Sequence, residues 1–289
     1  MKDTIIESSL IRKLERLQLN TNIVLNKGYT GGRKSNAKGS SVEFSDFREY
    51  APGDDFRKID WNAYGRFEKL FIKLFMEERQ STINIFLDTT KSMDFGNPKK
   101  SLISKQLALV FGYISTVNLD RVHIHCSNNN KIDTLENLSG KNSLYKIIDY
   151  LGNIKFEETN DLLKVVKSNT YKKGISIIIS DLFTDSLEEI VKYLAYMNQS
   201  VIILHTLSRE ELSPEYIGDV RLIDSETNEE KDVYISSNTI DSYEETLKRF
   251  IGNIKEICRK YGCYYSLLSN QISIEEVVFD NLVKAGILR

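Results

Sequence analysis

The sequence predicts an α/β protein built on a mostly parallel sheet with helices on both faces, preceded by a β-rich N-terminal segment. Three observations carry that expectation. After Ser81, apolar runs of strand length alternate with stretches of helical period, the mark of successive βα units. Runs such as Ile175–Ile179 and Val201–Leu204 are almost wholly apolar, as strands covered on both faces are. Two of these strands end in polar groups, Asp88 and Ser180-Asp181, where open parallel sheets bind ligands.

The elements follow in order. Residues 5–19 place Ile6, Leu10, Leu14 and Leu17 at three- and four-residue spacing, a short amphipathic helix. A basic loop over 27–38 carries Lys27, Arg33, Lys34 and Lys38 with Gly28, Gly31 and Gly32. It matches neither GxGxxG nor GxxxxGK[ST] and reads as a solvated turn. Residues 42–80 read as strands around the turn Ala51-Pro52-Gly53-Asp54-Asp55, with Phe67 and Leu70–Phe75 in a strand.

The strands expected next are Ile83–Leu87, Val122–Cys126, Lys131–Leu135, Ile175–Ile179, Val201–Leu207 and Tyr264–Leu268. Helices fall at 101–118, 143–152, 160–169, 186–197, 241–260 and 274–285. A β-hairpin inserted near 214–237 pairs Val220–Ile223 with Val233–Ile235. The chain thus divides into 1–81 and 82–289.

Composition narrows the function. With 41% hydrophobic and 28% charged residues in 289, the chain buries a core and is not intrinsically disordered. Lys and Arg number 39 against 41 Asp and Glu, so no global positive field draws nucleic acid. Cys126, Cys258 and Cys263 form no CxxC and read as reduced, buried thiols. No run approaches the ~20 apolar residues of a membrane span, and the start lacks a signal core. A cytoplasmic location is expected.

Chemistry is concentrated after the first strand of the sheet. Asp88-x-Thr90-x-Ser92 sets a carboxylate and two hydroxyls on one loop, hard oxygen donors suited to Mg²⁺ or Mn²⁺. Asp181 adds a second carboxylate if the two strands are neighbours, and Thr159 is a further contributor. Capping and turn formation are the ordinary roles of such residues. His123 and His125 lie two apart on a strand and face one side, but further zinc ligands are not evident. The set Arg48, Asp54, Asp55, Arg57, Asp60 and Arg66 reads either as solvated ion pairs or as a docking surface. Trp61 is then a core anchor or an interface hot spot, the core role being the expected one.

Asp88-x-Thr90-x-Ser92-Met93, Thr159 and Ser180-Asp181 resemble the metal-ion-dependent adhesion site of a von Willebrand factor A domain, with Thr90 in place of the usual Ser. Upstream, Glu43-Phe44, Arg48-x-Tyr50-x-Pro52-Gly53-Asp54-Asp55-x-Arg57 and Ile59-Asp60-Trp61 resemble the signature of the bacterial family called domain of unknown function 58. Asp120-Arg121-Val122, Ser180-Asp181-Leu182-Phe183, His205, Leu207-Ser208-x-Glu210-Glu211 and Asp224–Thr227 are similar to the same family, and Asn62–Arg66 departs from it.

The resemblance implies a non-enzymatic, Mg²⁺-binding (or Mn²⁺-binding) protein-interaction module. In it Thr90 and Ser92 ligate directly, Asp88 and Asp181 partly through water, and Thr159 completes the set. A partner's acidic side chain fills the open position. It also implies a MoxR-type AAA+ ATPase, or that ATPase's client, as partner. In the absence of metal two nearby carboxylates repel, so Asp181→Ala is expected to leave the apo protein as stable or more so. The rival reading is a Mg²⁺-dependent phosphohydrolase using Asp88, but the Asp-x-Asp pattern that chemistry needs has Thr at position 90.

Overall fold

The computed structural model describes residues 6–20, 42–77, 80–128, 131–156, 162–225 and 229–289. They fall into two compact units, Gly31–Gln80 and a larger one of Met1–Thr30 with Ser81–Arg289. The basic loop at 27–38 and Thr159 lie outside the described residues.

In the larger unit, strand β3 (Thr82–Leu87) dictates the layering. Ile83, Ile85 and Leu87 bury in one apolar cluster and Phe86 in another, so both faces of the strand need cover. Around it lie β4 (Arg121–Asn128), β5 (Lys131–Leu138), β6 (Gly174–Ser180), β7 (Gln199–Leu207) and β10 (Tyr264–Ser269). Their order is β10-β7-β6-β3-β4-β5, all parallel except the edge strand β5. Gly174 opens β6 because a Cβ there would overlap the Thr82 carbonyl oxygen of β3.

Helices α1 (Ser8–Leu14), α3 (Lys100–Val117) and α4 (Ser143–Asn153) contribute buried residues to the first cluster. Helices α5 (Leu162–Lys167), α6 (Leu187–Tyr196) and α8 (Ser237–Tyr261) contribute to the second. The strand order reverses between β3 and β6, which leaves a crevice at their carboxyl ends. A four-residue helix, α7 (Arg209–Leu212), follows β7 there. The hairpin of β8 (Gly218–Ile223) and β9 (Glu230–Ile235) stands as its own two-stranded sheet. Ser236 caps α8 through the Thr239 N–H, so that helix starts ahead of the expected 241.

Helix α1 is shorter than the expected 5–19. It closes in tight turns, the Arg16 and Leu17 N–H groups donating to Lys13 and Leu14 carbonyls. Leu10 and Leu14 belong to the larger unit's core, whereas the sequence division groups them with residues up to 81. At the other end a turn of helix, Ile274–Glu276, runs into a π-helix over Val277–Val283. Leu19 then pairs with Leu288, and the Gln18 and Arg289 backbones exchange hydrogen bonds of 2.8 and 2.9 Å.

The smaller unit pairs β1 (Val42–Glu49) antiparallel with β2 (Phe71–Glu77). Between them lies a helix, α2 (Trp61–Phe67), where the sequence suggested only strands and a turn. Asp60 explains it: its carboxylate accepts the Asn62 and Ala63 N–H groups at 2.9 and 3.1 Å, an N-cap. Glu68 ends it in a left-handed conformation at φ 52°. Trp61 is 64% exposed, which overturns its expected place in the core.

Candidate functional site

The two polar strand ends predicted to meet do meet, because β3 and β6 are hydrogen-bonded neighbours. The Asp88 N–H donates to the Ile179 carbonyl at 3.0 Å, which fixes the start of the loop against β6. Asp88 Oδ1 accepts the Thr90 N–H at 3.0 Å and the Thr90 hydroxyl at 2.8 Å. Thr90 Oγ1 and Ser92 Oγ lie 3.0 Å apart. The Ser180 hydroxyl donates to Asp88 Oδ2 at 2.5 Å. On the other side, Thr89 Oγ1 donates to the Ser127 carbonyl at 2.7 Å, tying the loop to the end of β4.

These residues suit a small divalent ion. Neighbouring oxygens of an octahedral Mg²⁺ shell with ~2.1 Å bonds are about 3.0 Å apart. The Asp88–Thr90 and Thr90–Ser92 separations of 2.8 and 3.0 Å already lie near that value. Every donor is a hard oxygen, and no three His, Cys, Asp or Glu side chains gather to hold a metal among the described residues. Burial, and after it the charge of Asp181, pushes the Asp88 carboxyl up to about 6, while hydrogen bonds from Ser180 and Thr90 pull it down.

Asp181 is differently placed. It is buried, and its Oδ2 accepts a 2.8 Å hydrogen bond from the ammonium of Lys100, the first residue of α3. The same Nζ reaches Glu211 Oε1 at 2.6 Å. Glu211 in turn closes a capping box on α7, its Oε2 accepting the Ser208 N–H at 2.6 Å and its own N–H donating to the Ser208 hydroxyl at 3.1 Å. The Phe183 ring lies 5.5 Å from the Lys100 ammonium. Asp181 does repel Asp88, but it is also paired with an internal cation, so removing it takes a partner from the buried Lys100 as well as relieving that repulsion.

The predicted set thus separates. Asp88, Thr90 and Ser92 converge, Asp181 stands beside them in an ion pair, and Thr159 is outside the described residues. Sequence reasoning missed Lys100, Glu211 and the Ser180 hydroxyl bond. One signal for Lys100 was available: a lysine opening a helix opposes the helix dipole, so it needs a partner elsewhere.

The second predicted set is local to the smaller unit. Arg48 donates to both Asp54 oxygens at 2.8 and 2.9 Å, and Arg57 grips Asp55 in a fork at 3.0 Å. Asp60 is the cap of α2, and Trp61 packs edge-on to Tyr64 at 6.2 Å. Arg66 lines a cavity of about 510 Å³ with Phe47, Phe67 and Phe71. In the larger unit, His123 and His125 do share a face, their rings stacked at 6.1 Å. His125 turns its nitrogens to Thr134 and Asn84 at 3.2 and 3.4 Å, a packing role rather than a ligand's.

No curated protein matches the sequence. Among solved structures, the chain is similar to the conserved hypothetical protein BatB from Bacteroides thetaiotaomicron, at 14% identity and a TM-score of 0.44, over 71% of this chain and 98% of that one. An aerotolerance-related membrane protein from Bacteroides fragilis matches at 13% identity and 0.42, over 71% and 99%. The VWA domain of SpRpn10 matches at 9% and 0.39, over 70% and 95%. Among the described residues no helix is long and apolar enough to cross a membrane. The strand order and the switch-point loops make the larger unit an open, mostly parallel α/β sheet with its polar loops at the β3–β6 switch point. The model of a protein family of unknown function, DUF58, matches residues 46–249, more than half of the sequence, and the chain belongs to that family.

Proposed function

We propose that the chain is a protein-interaction module of the von Willebrand factor A type that uses Mg²⁺, or Mn²⁺, at Asp88, Thr90 and Ser92 to take up an acidic side chain of a partner. The observation that supports this best is the trio of oxygens at near-octahedral separation at the sheet's switch point. When bound, the ion would offer an incoming carboxylate a strong charge-assisted contact. Asp88 supplies charge, Thr90 and Ser92 supply neutral oxygens, and Ser180 fixes the Asp88 rotamer. Thr90 keeps the hydroxyl of the serine it replaces. The partner in this reading is a MoxR-type AAA+ ATPase or its client, as the family resemblance implies.

The phosphohydrolase reading gains nothing from the geometry. Both Asp88 oxygens already accept hydrogen bonds, and Thr90 offers no acid for a leaving group. The test is co-purification of the candidate ATPase with wild type, with Asp88→Ala, and with wild type in chelator. Retention by wild type alone is expected, and equal retention in all three overturns the proposal. Mg²⁺-dependent phosphatase turnover lost in Asp88→Asn would replace it with the enzyme reading.

A further inference from the structure

Lys100 is a feature of the switch point that a metal-holding role does not explain. Its side chain is 0% exposed, yet it is charged and bonded to two carboxylates, Asp181 and Glu211. An ammonium out of water is tolerated only where such partners compensate it. Its place at the first residue of α3 works against it, since the helix N-terminus carries the positive end of the dipole. The residues it joins lie 81 and 111 positions away, just after β6 and within α7. Lysine here serves the carboxylates, not the helix.

We infer that Lys100 is a built-in counter-ion that occupies the Asp181 carboxylate in place of a divalent cation, holding the metal-free state together and keeping the site's metal affinity low. The inference rests on the proposed metal site and concerns what competes for it. The Lys100 ammonium is shared by the carboxylates of Asp181 and Glu211, and the charge of Asp181 also bears on Asp88. A divalent ion at Asp88–Ser92 is repelled by that ammonium, and Asp181 offers its charge to the ion less fully while Lys100 shares its Oδ2. The fold therefore carries its own competitor. Metal loading then depends on ion concentration, or on a partner carboxylate that adds negative charge from outside.

The experiment is calorimetric titration of Mg²⁺ and Mn²⁺ into wild type, Lys100→Met and Lys100→Gln, with thermal melts in chelator and in Mg²⁺. Glutamine keeps a hydrogen-bond donor for Asp181 and removes the charge, so it serves if the methionine variant fails to fold. Either neutral variant is expected to bind the ion roughly tenfold or more tightly, since a unit positive charge near a divalent ion is gone. Each should also melt lower than wild type in chelator and gain more from Mg²⁺. A purely structural lysine would lower the melting point without tightening metal binding, so unchanged or weaker affinity overturns the inference while leaving the metal site standing. Absence of binding to wild type and to both variants overturns the metal site itself and the inference with it.

Discussion

Arg48 with Asp54 in the smaller unit, and Lys100 with Asp181 in the larger, stand at the same 2.8 Å separation. The first pair joins residues six apart, with side chains 44% and 23% exposed. The second joins residues 81 apart, at 0% and 3%. Water and salt screen the first, and either side chain can find solvent instead. The second has no solvent to turn to, so losing one partner strands the other. An ion pair's length says little about its weight. Burial and the distance it spans along the chain decide that.

The comparison can be broken by removing each pair in turn. Asp181→Ala leaves Lys100 buried with Glu211 alone, and a loss of about 3–5 kcal/mol is expected from urea unfolding in chelator. A loss below about 1 kcal/mol would show that Glu211 suffices, and the contrast would collapse. Asp120 sharpens it with a buried carboxylate whose Oδ1 accepts the Ser81 N–H at 2.9 Å. Burial pushes this carboxyl up to about 6 from an ordinary 3.8, against the pull of that N–H. The folded state thus keeps a proton that the unfolded chain releases, and this contribution to stability falls as pH rises from about 4 to about 6.

Asp120→Asn removes that decline, so the variant's advantage over wild type should grow by about 2–3 kcal/mol across the window and stay flat above it. His125 and His205, held down at about 4 by burial, act oppositely and lose stability as pH falls from 6.5. The difference between variant and wild type isolates Asp120 from them, and a difference constant from pH 4 to 7 would contradict the shift. The smallest effect is expected from Arg48→Ala, below about 1 kcal/mol in the same urea assay. A larger loss would move the surface pair into the buried class.

What could be read from the sequence follows the same division between near and far. The strands β3 and β6 announce themselves as apolar runs, and Asp88, Thr90 and Ser92 sit within five residues, so local pattern is enough to find them. Asp181 was found because it ends an apolar strand. Its partner Lys100 was not, because nothing near either residue names the other, and only the sheet order brings them together. Helix α2 was missed for a different reason. Its aromatic and polar residues suit a strand as well, and the Asp60 cap that starts it looks like part of the preceding turn. Trp61 was expected inside because large aromatics usually are, but a seven-residue helix with no buried side chain gives it no interior to enter.

The pairing of Leu19 with Leu288 bears on the order in which the fold closes. Gln18 and Arg289, which flank it, are 271 residues apart, whereas Ser180 and Asp88 of the switch point are 92 apart. The longer closure costs only about 1 kcal/mol more in chain entropy, because that penalty grows with the logarithm of length. Its effect is on the order of folding. The central strands can align from contacts that are nearer along the chain, whereas the Leu19–Leu288 bridge joins two of the most distant residues in the core and rewards the chain only after that search is complete. A contact that adds little to the entropic cost can still be among the slowest to form.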